Sequence, residues 1–463
     1  MTAERRRIAV IGSGVAGLTA AHVLHRASDV SLYEADDRLG GHADTHDVAD
    51  TDGRSLSVDT GFIVHNARTY PNLLRLLREL DVATQESEMS MSVRCEGCGL
   101  EYAGARGPRG LFAQPRNALR GRYLRMLTEV TAFHRGARRL LAESGSDTGS
   151  DTGSGAGAAA DTGSDTGADT DTGSDTGADG GAGAAATDRT LREFLADGRY
   201  SPYFVQHFMT PLVSAVWSCS PATALDFPAR YLFRFLDHHG LLSVGDSPTW
   251  RTITGGSRTY VERVGKEVSA VHTSSRVTAL RRVPGGAEVT VEDGTTERYD
   301  AVVVAVHPHQ ALGLLAEPTA AEREVLGAIP YTVNPALLHT DTGVLPRASG
   351  ARASWNYLMP SCASDAGAVL VSYDMNRLQR LDGADTYVVT LNGADRVDPS
   401  AVRDRMAYEH PQYTPESVAA QRRLPELNGP VVAYAGAYHG WGFHEDGCAS
   451  GVAAARALGV EWS

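Results

Sequence analysis

Three glycines, Gly12, Gly14 and Gly17, follow the apolar run Ile8-Ala9-Val10-Ile11 in the order G-x-G-x-x-G, with Ala16 beside the last of them. That spacing suits a grip on a dinucleotide. The first glycine allows a tight turn, the second lets a pyrophosphate come close, and the third lets a helix pack on the preceding strand. The helix then offers free N–H groups and the positive end of its dipole to the phosphates. Glu34 stands 20 residues after Gly14, where an acid bonds ribose hydroxyls and disfavours a 2′-phosphate.

A second group is titratable. His444, Glu445 and Asp446 are adjacent, with His439 and Trp441 just before them. Proton transfer or substrate orientation would use such groups. Capping of a helix would use Glu445 or Asp446 equally well, and capping is the expectation for Asp446. A third group is the lone C-x-x-C of Cys95 and Cys98. It has the spacing of half a zinc site or a redox pair, but no second C-x-x-C exists. Glu96-Gly97 between the two cysteines fits a hairpin turn. His238-His239 are neighbours that would point apart on a helix. No metal site is therefore expected. No G-x-S-x-G elbow is present, so serine hydrolysis has no support.

These groups need elements to position them. Arg7–Gly12 fits a buried strand, Gly14–Arg26 a helix and Val30–Glu34 a second strand. Tyr70–Leu80 places Leu73, Leu74, Leu77 and Leu80 at helical spacing. Met89–Arg94 and Leu100–Tyr102 fit a hairpin, and Leu119–Ala142 a basic, Leu-rich helix. Leu191–Leu195 resumes helix. Val277–Val283, Ala287–Glu292 and Tyr299–Val306 fit strands separated by glycine turns. Tyr260–Val268 and Ser450–Leu458 fit helices.

Composition limits the function classes. At 463 residues the chain exceeds the roughly 250–300 residues of one hydrophobic core. The formal charge is −13, and Ser144–Thr187 carries eight Asp with no Lys, Arg or Glu. Outside that stretch the chain is only mildly acidic and has no basic block, so a nucleic-acid partner is not expected. Ser144–Thr187 itself is built of Asp-Thr-Gly units and lacks large apolar residues, so it is expected to be a solvated insert. No apolar run reaches the ~18 residues of a membrane span. Arg5-Arg6-Arg7 mimics the start of an export signal, but the glycine spacing behind it fits strand, turn and helix better. Five sparse cysteines suit a reducing, cytoplasmic setting. The arginines of Arg116–Arg139 suit a solvated face, with peripheral contact to anionic lipid as the alternative.

The segment Glu34-Ala35-Asp36-Asp37-Arg38-Leu39-Gly40-Gly41-His42-Ala43-Asp44-Thr45 resembles the second glycine motif of the amine oxidase and phytoene desaturase superfamily of FAD enzymes. Val58-Asp59-Thr60-Gly61-Phe62, Ile253-Thr254-Gly255-Gly256-Ser257, Arg276-Val277-Thr278 with Asp300–Val306, Tyr434-Ala435-Gly436 and Asp446–Gly451 resemble its later motifs, in the family's order. Trp355-Asn356-Tyr357 and Gly440–Gly447 look like a bacterial NAD/FAD-binding branch often encoded beside cyclopropane fatty acid synthases. The resemblance implies an α/β fold, with a Rossmann-type FAD-binding domain built from separated segments and an inserted α+β substrate domain. The FAD-binding segments would be residues 1–85, 251–310 and 429–463. The substrate domain would take 86–143, 188–250 and 311–428, with the insert at 144–187.

Roles follow from the same resemblance. Gly12, Gly14, Ala16 and Gly17 would hold the pyrophosphate and Glu34 the adenosine ribose. Gly40, Gly41 and Gly61 would let backbone approach the cofactor, and Val277 would contact adenine. Gly436, Gly447 and Cys448 would lie on the flavin side. His42 stands where the family usually has Arg, which leaves Arg38 as the expected phosphate neutraliser. Many flavin amine oxidases place a Lys near the flavin. Here Lys266 is the only lysine, on a surface helix. The expectation is thus an FAD-dependent oxidoreductase that takes hydride from a hydrophobic substrate, a fatty acyl or isoprenoid-like lipid, in a desaturase- or isomerase-like reaction. His444 and Glu445 are the candidate catalytic groups, and His65 with Asn66 could also face the ring. A flavin amine oxidase is one alternative. A non-catalytic flavoprotein serving a lipid-modifying enzyme is the other.

Overall fold

In the computed structural model, residues 5–145, 189–242, 247–362 and 367–463 are described. The expected insert lies outside them, apart from its first two residues, which end a helix over Gly121–Gly145.

The first elements are β1 (Arg6–Ile11), α1 (Val15–Leu24) and β2 (Ser28–Tyr33). β1 pairs in parallel with β2 on one side and with the strand Ala301–Val304 on the other. Ala270–His272 and Val432–Tyr434 extend this to five parallel strands. The apolar run of β1 is explained by cover on both faces. Ile8 and Val10 enter one core, while Ala9 and Ile11 enter the other, as the two-residue period of a strand requires. α1 is buried along its whole length, because the sheet lies on one side and the last helix, His444–Ala457, on the other. Gly447 and Gly451 permit that second contact. A Cβ on Gly451 would lie 2.4 Å from the Ala16 carbonyl oxygen, and one on Gly447 would lie 2.5 Å from Val15 Cγ1.

A second, seven-stranded sheet runs Val402–Pro411, Tyr331–His339, Val388–Leu391, Val371–Asp374, Trp355–Met359, Met91–Cys95, Glu101–Ala103. Short helices between Leu191 and His238 join the same core as this sheet and α1. The α/β class and the Rossmann-type sheet assembled from distant segments are as expected.

Three local readings change. The last helix begins at His444, six residues before Ser450, because Asp446 accepts the Phe443 N–H at 2.9 Å and starts it there. The single strand expected over Tyr299–Val306 is two, Thr296–Tyr299 in an antiparallel three-stranded sheet and Ala301–Val304 in the parallel one. Asp300 makes the break by exchanging two hydrogen bonds with the Arg7 backbone. The three-residue edge strand Ala270–His272 is partly exposed, so its apolar pattern is too short and weak to read. No described helix is long and apolar enough to cross a membrane. The basic helix Gly121–Gly145 carries the ion pairs Arg125–Glu129 and Arg139–Glu143 at i,i+4 spacing, the arrangement of a solvated face.

Candidate functional site

The glycine loop sits at the end of β1. Gly12 has φ +96°, and a Cβ there would lie 2.5 Å from the Ala305 carbonyl oxygen. A Cβ on Gly17 would lie 1.9 Å from the Gly12 carbonyl oxygen. Those two glycines are fixed by the fold itself. Gly14 differs, since a Cβ on it would meet nothing within 4 Å. Gly14 is also the N-cap of α1, and among the described residues no side chain caps this end and no acid occupies its first turn. A helix end with bare N–H groups and open space beside it fits an anionic diphosphate.

Glu34 closes the cradle at the end of β2. Its carboxylate accepts the Ser13 N–H at 2.9 Å, the Ser13 hydroxyl at 2.5 Å and the Asp36 N–H at 3.1 Å. Ser13 also receives the Gly40 N–H on its hydroxyl at 3.0 Å. Ser13 thereby binds the two glycine turns together, a role signalled in the chain only by its place between Gly12 and Gly14. Gly40 and Gly41 both have positive φ, and a Cβ on Gly41 would come 3.2 Å from Gly14 Cα. Arg38 does not reach into the cradle as a free charge. It pairs with Asp44 at 2.9 Å and donates to the Gly41 carbonyl at 3.1 Å. The expected phosphate neutraliser instead braces the second turn.

Val277 is buried in the second core and pairs with Val291. The residues just before it reach the end of β2, where the Ser275 and Ser274 N–H groups donate to the Glu34 and Asp36 carbonyls at 2.8 Å. Gly61 and Gly436 are set by close approach. A Cβ on Gly61 would lie 2.2 Å from the His42 carbonyl oxygen, and one on Gly436 would lie 2.1 Å from the Tyr438 ring. Asp59 ties its own motif to two others. It accepts from Thr45 Oγ1 at 2.6 Å and from the Ser257 N–H at 2.9 Å, and also from Gln379 Nε2 at 3.0 Å. Burial pushes its carboxyl up to about 6 despite these bonds.

The expected flavin side is walled by aromatic and imidazole rings. Phe62 stacks on His444 with ring centroids 3.4 Å apart. His444 Nε2 shares a hydrogen bond of 3.0 Å with the Tyr260 hydroxyl. Burial drives the His444 imidazole well below its ordinary pKa, helped by His42 and His65. His42 lies against Tyr408, His410 and His307, at centroid distances of 5.1, 5.6 and 6.1 Å. Desolvation first, then the neighbouring His307, pulls the His42 imidazole down to about 4. His42 Nε2 is buried with no hydrogen-bond partner among the described residues. His65 is fully buried with both ring nitrogens in the same state. Asn66 turns instead to the backbone N–H groups of Arg68 and Thr69.

Two of the candidate groups have structural work. Glu445 accepts the Asn72 N–H at 3.0 Å, Asn72 Nδ2 at 2.6 Å and the Leu73 N–H at 3.0 Å. It thus caps the neighbouring helix Pro71–Glu79, which has no cap of its own. Its carboxylate is occupied by three donors, so it is not a free acid or base. Cys448 is fully buried and its Sγ lies 3.5 Å from Thr19 Oγ1 of α1. It faces α1, and burial pushes its thiol far up. Gly447 likewise faces Val15. Lys266 is exposed on the helix Arg258–Glu267. Trp217 and Tyr357 are core residues.

A sequence profile of the family described as flavin containing amine oxidoreductase matches residues 15–459. Over 81 residues the chain is 38% identical to a carotenoid phi-ring synthase of Streptomyces griseus, and it spans only 16% of the length of that curated relative. A putrescine oxidase with redesigned cofactor binding superposes with a TM-score of 0.63 at 14% identity, over 98% of both chains. The CLA-producing fatty acid isomerase from P. acnes gives 0.61 at 16%, over 96% of this chain and 97% of the other. Cyclohexylamine oxidase from Brevibacterium oxydans gives 0.61 at 15%, over 98% of both. At such identities the structural likeness speaks for the fold. The family profile covers nearly the whole chain, and the bare cradle at α1 fits the diphosphate of FAD. The chain belongs to the flavin containing amine oxidoreductases and is an FAD-dependent oxidoreductase.

Proposed function

We propose that the enzyme removes hydride from a C–H bond of a hydrophobic substrate, a fatty acyl or isoprenoid-like lipid, in a desaturation or isomerisation. The observation that carries this reading is the ring-lined wall of His444, Phe62 and Tyr260, in which the carboxylates close by are already engaged. Glu445 caps one helix and Asp446 starts another. His42, His65 and His444 are held in the neutral form. Bound FAD supplies the hydride acceptor. The residues of this chain orient an apolar substrate and exclude water, which is what hydride transfer requires of a protein. An exposed Lys266 offers no amine to the ring side.

Gly12, Gly14, Gly17, Gly40 and Gly41 give the diphosphate its backbone cradle in this reading, with Glu34 at the ribose. His42 Nε2, which lacks a partner among the described residues, donates to or accepts from the bound cofactor. The relatives by their names act on fatty acid and carotenoid as well as on putrescine and cyclohexylamine, so the choice of a lipid rests on the apolar, ring-lined wall and the exposed Lys266. Five unpaired cysteines fit the cytoplasm. Exposed Phe112, Leu119 and Leu124 near Arg116 and Arg120 in sequence fit peripheral contact with a membrane that supplies such a substrate.

Anaerobic mixing of the FAD-loaded protein with unsaturated fatty acids, isoprenoid hydrocarbons and amines tests this, read by flavin bleaching and by product analysis. Bleaching or double-bond rearrangement with a lipid is expected. Bleaching by putrescine or another amine alone would make it an amine oxidase. A flavin inert to every class, yet retained in a complex with a lipid-modifying enzyme, would make it a non-catalytic partner.

A further inference from the structure

We propose that Cys95, Cys98, His207 and Cys362 form a structural zinc site in the substrate half of the molecule. The four ligand atoms all lie within 4.8 Å of one another. Cys95 Sγ and Cys362 Sγ are 3.6 Å apart, and Cys98 Sγ and His207 Nε2 are also 3.6 Å apart. A tetrahedral ion with bonds of ~2.3 Å to sulfur and ~2.0 Å to nitrogen sets its ligand atoms about 3.5–3.8 Å apart. The sulfurs are too far apart for a disulfide, whose bond is ~2.05 Å, and all five cysteines are free. Three thiolates and one imidazole with no open position are the ligand set of a structural zinc ion, not of a catalytic one.

The surrounding backbone is shaped for this cluster. Met91–Cys95 pairs in parallel with Trp355–Met359, with Met359 opposite Cys95, so Cys362 emerges beside the C-x-x-C turn. A Cβ on Gly97 would lie 2.7 Å from the Cys362 nitrogen, so the turn closes only around glycine. Gly99 takes φ +67° and reverses the chain after Cys98. His207 lies at the centre of a one-turn π-helix, Val205–Met209, a distortion common where a side chain must be aimed. Its Nδ1 meets the Tyr203 carbonyl oxygen at 3.2 Å, which leaves Nε2 as the free acceptor toward the sulfurs. The Tyr203 ring stacks on it at 4.0 Å. Such outer contacts fix the tautomer of a ligating histidine. His207 and Cys95 are fully buried, while Cys98 and Cys362 are half-buried and leave a route for the ion.

Binding involves no redox change. The thiols release their protons and the sulfurs bond the ion. The ion would tie together a hairpin, a strand end and a helix that lie 109 and 267 residues apart in the chain.

The test uses the full-length, FAD-loaded protein purified under reducing conditions. Mass spectrometry is expected to find one zinc per chain. Replacement of zinc by cobalt(II) is expected to give the intense visible bands of tetrahedral thiolate coordination. Cys98→Ser with Cys362→Ser should abolish both signals, and His207→Gln should weaken the cobalt bands while flavin content reports that the variant has folded. Removal of zinc by a chelator should lower the Tm by about 5 °C or more. The proposal fails if the reduced wild-type protein takes up neither zinc nor cobalt. It fails equally if peptide mapping finds Cys95 and Cys362 disulfide-bonded in the native protein, or if the double variant keeps its zinc. The cobalt measurement on the wild-type chain stands even if a variant does not fold.

Discussion

The N-termini of α1 and of Pro71–Glu79 make a useful contrast. Both lack a capping side chain of their own. The second is filled from outside by Glu445, which takes three donors. Among the described residues the first receives no side chain, and a Cβ on Gly14 would enter open space. The orphan N–H groups of a helix end must be satisfied by something. Where the protein supplies a carboxylate, that end is structural. Where it supplies only glycine and space, the end is left for an anion from solution, which in the function proposed above is the diphosphate of FAD. The same logic reassigns Glu445 from candidate catalyst to cap.

The largest effect expected from breaking this contrast is at Gly17. A valine there collides with the Gly12 carbonyl and with Ala305, so Gly17→Val should give little folded protein, as read by circular dichroism and expression. Gly14→Val should separate cradle from fold. Its side chain enters open space, so the melting temperature of the FAD-free protein should be nearly unchanged while FAD affinity falls by about 100-fold or more, roughly 2.7 kcal/mol. An undiminished flavin content after that change would remove the diphosphate from this helix end. Glu445→Ala comes next. Loss of a cap costs about 1–2 kcal/mol, seen in denaturant unfolding, and the flavin reduction rate should hold if Glu445 acts only on the helix.

Asp446 gives a pH test of the same region. Burial, and to a lesser degree Glu445, pushes its carboxyl up to about 7. Between its ordinary value and about 7 the folded protein keeps a proton that the unfolded chain has released, so this group's contribution to stability falls as pH rises through that window. Asparagine keeps an acceptor for the Phe443 N–H and cannot titrate. The Tm of Asp446→Asn relative to wild type should therefore move in the variant's favour between about pH 5 and about pH 8. The buried histidines act oppositely. His42, His65 and His239 are each pulled down to about 4, so their contribution is lost as pH falls from about 6.5 toward 4, which is why the comparison must be made against wild type. The smallest effect is expected for Lys266→Ala. An exposed residue of this kind contributes within about 0.5 kcal/mol, and flavin reoxidation by oxygen, followed by stopped flow, should not change.

The features written locally in the chain were legible. The strand–glycine turn–helix at Ile8–Leu24 carries its own apolar period and its own special φ, and Glu34 follows at the right distance. The helix at Pro71–Glu79 and the hairpin around Glu96-Gly97 likewise depend on neighbours within a few residues. The start of the last helix was legible only in part. Asp446 caps a helix as expected, through the Phe443 N–H, but the helical pattern reads only from Ser450, because Gly447 and the glycine-rich loop before His444 weaken it. Arg38 had the charge for a phosphate, and nothing in its spacing revealed that Asp44 would hold it at 2.9 Å.

By itself the sequence determined the cofactor fold, the cradle and the class of chemistry, because each rests on short-range backbone requirements that only particular residues meet. The tertiary structure alone decided the work of the side chains. Glu445 meets Asn72, Asp59 meets Ser257 and Gln379, and Cys98 meets His207 across separations of 373, 198, 320 and 109 residues. A carboxylate, a thiol or an imidazole keeps the same reach whether it serves catalysis, capping or a metal. Only the partner that packing brings within about 3 Å selects among those roles, and that partner is set by strand register and helix crossing across the whole chain.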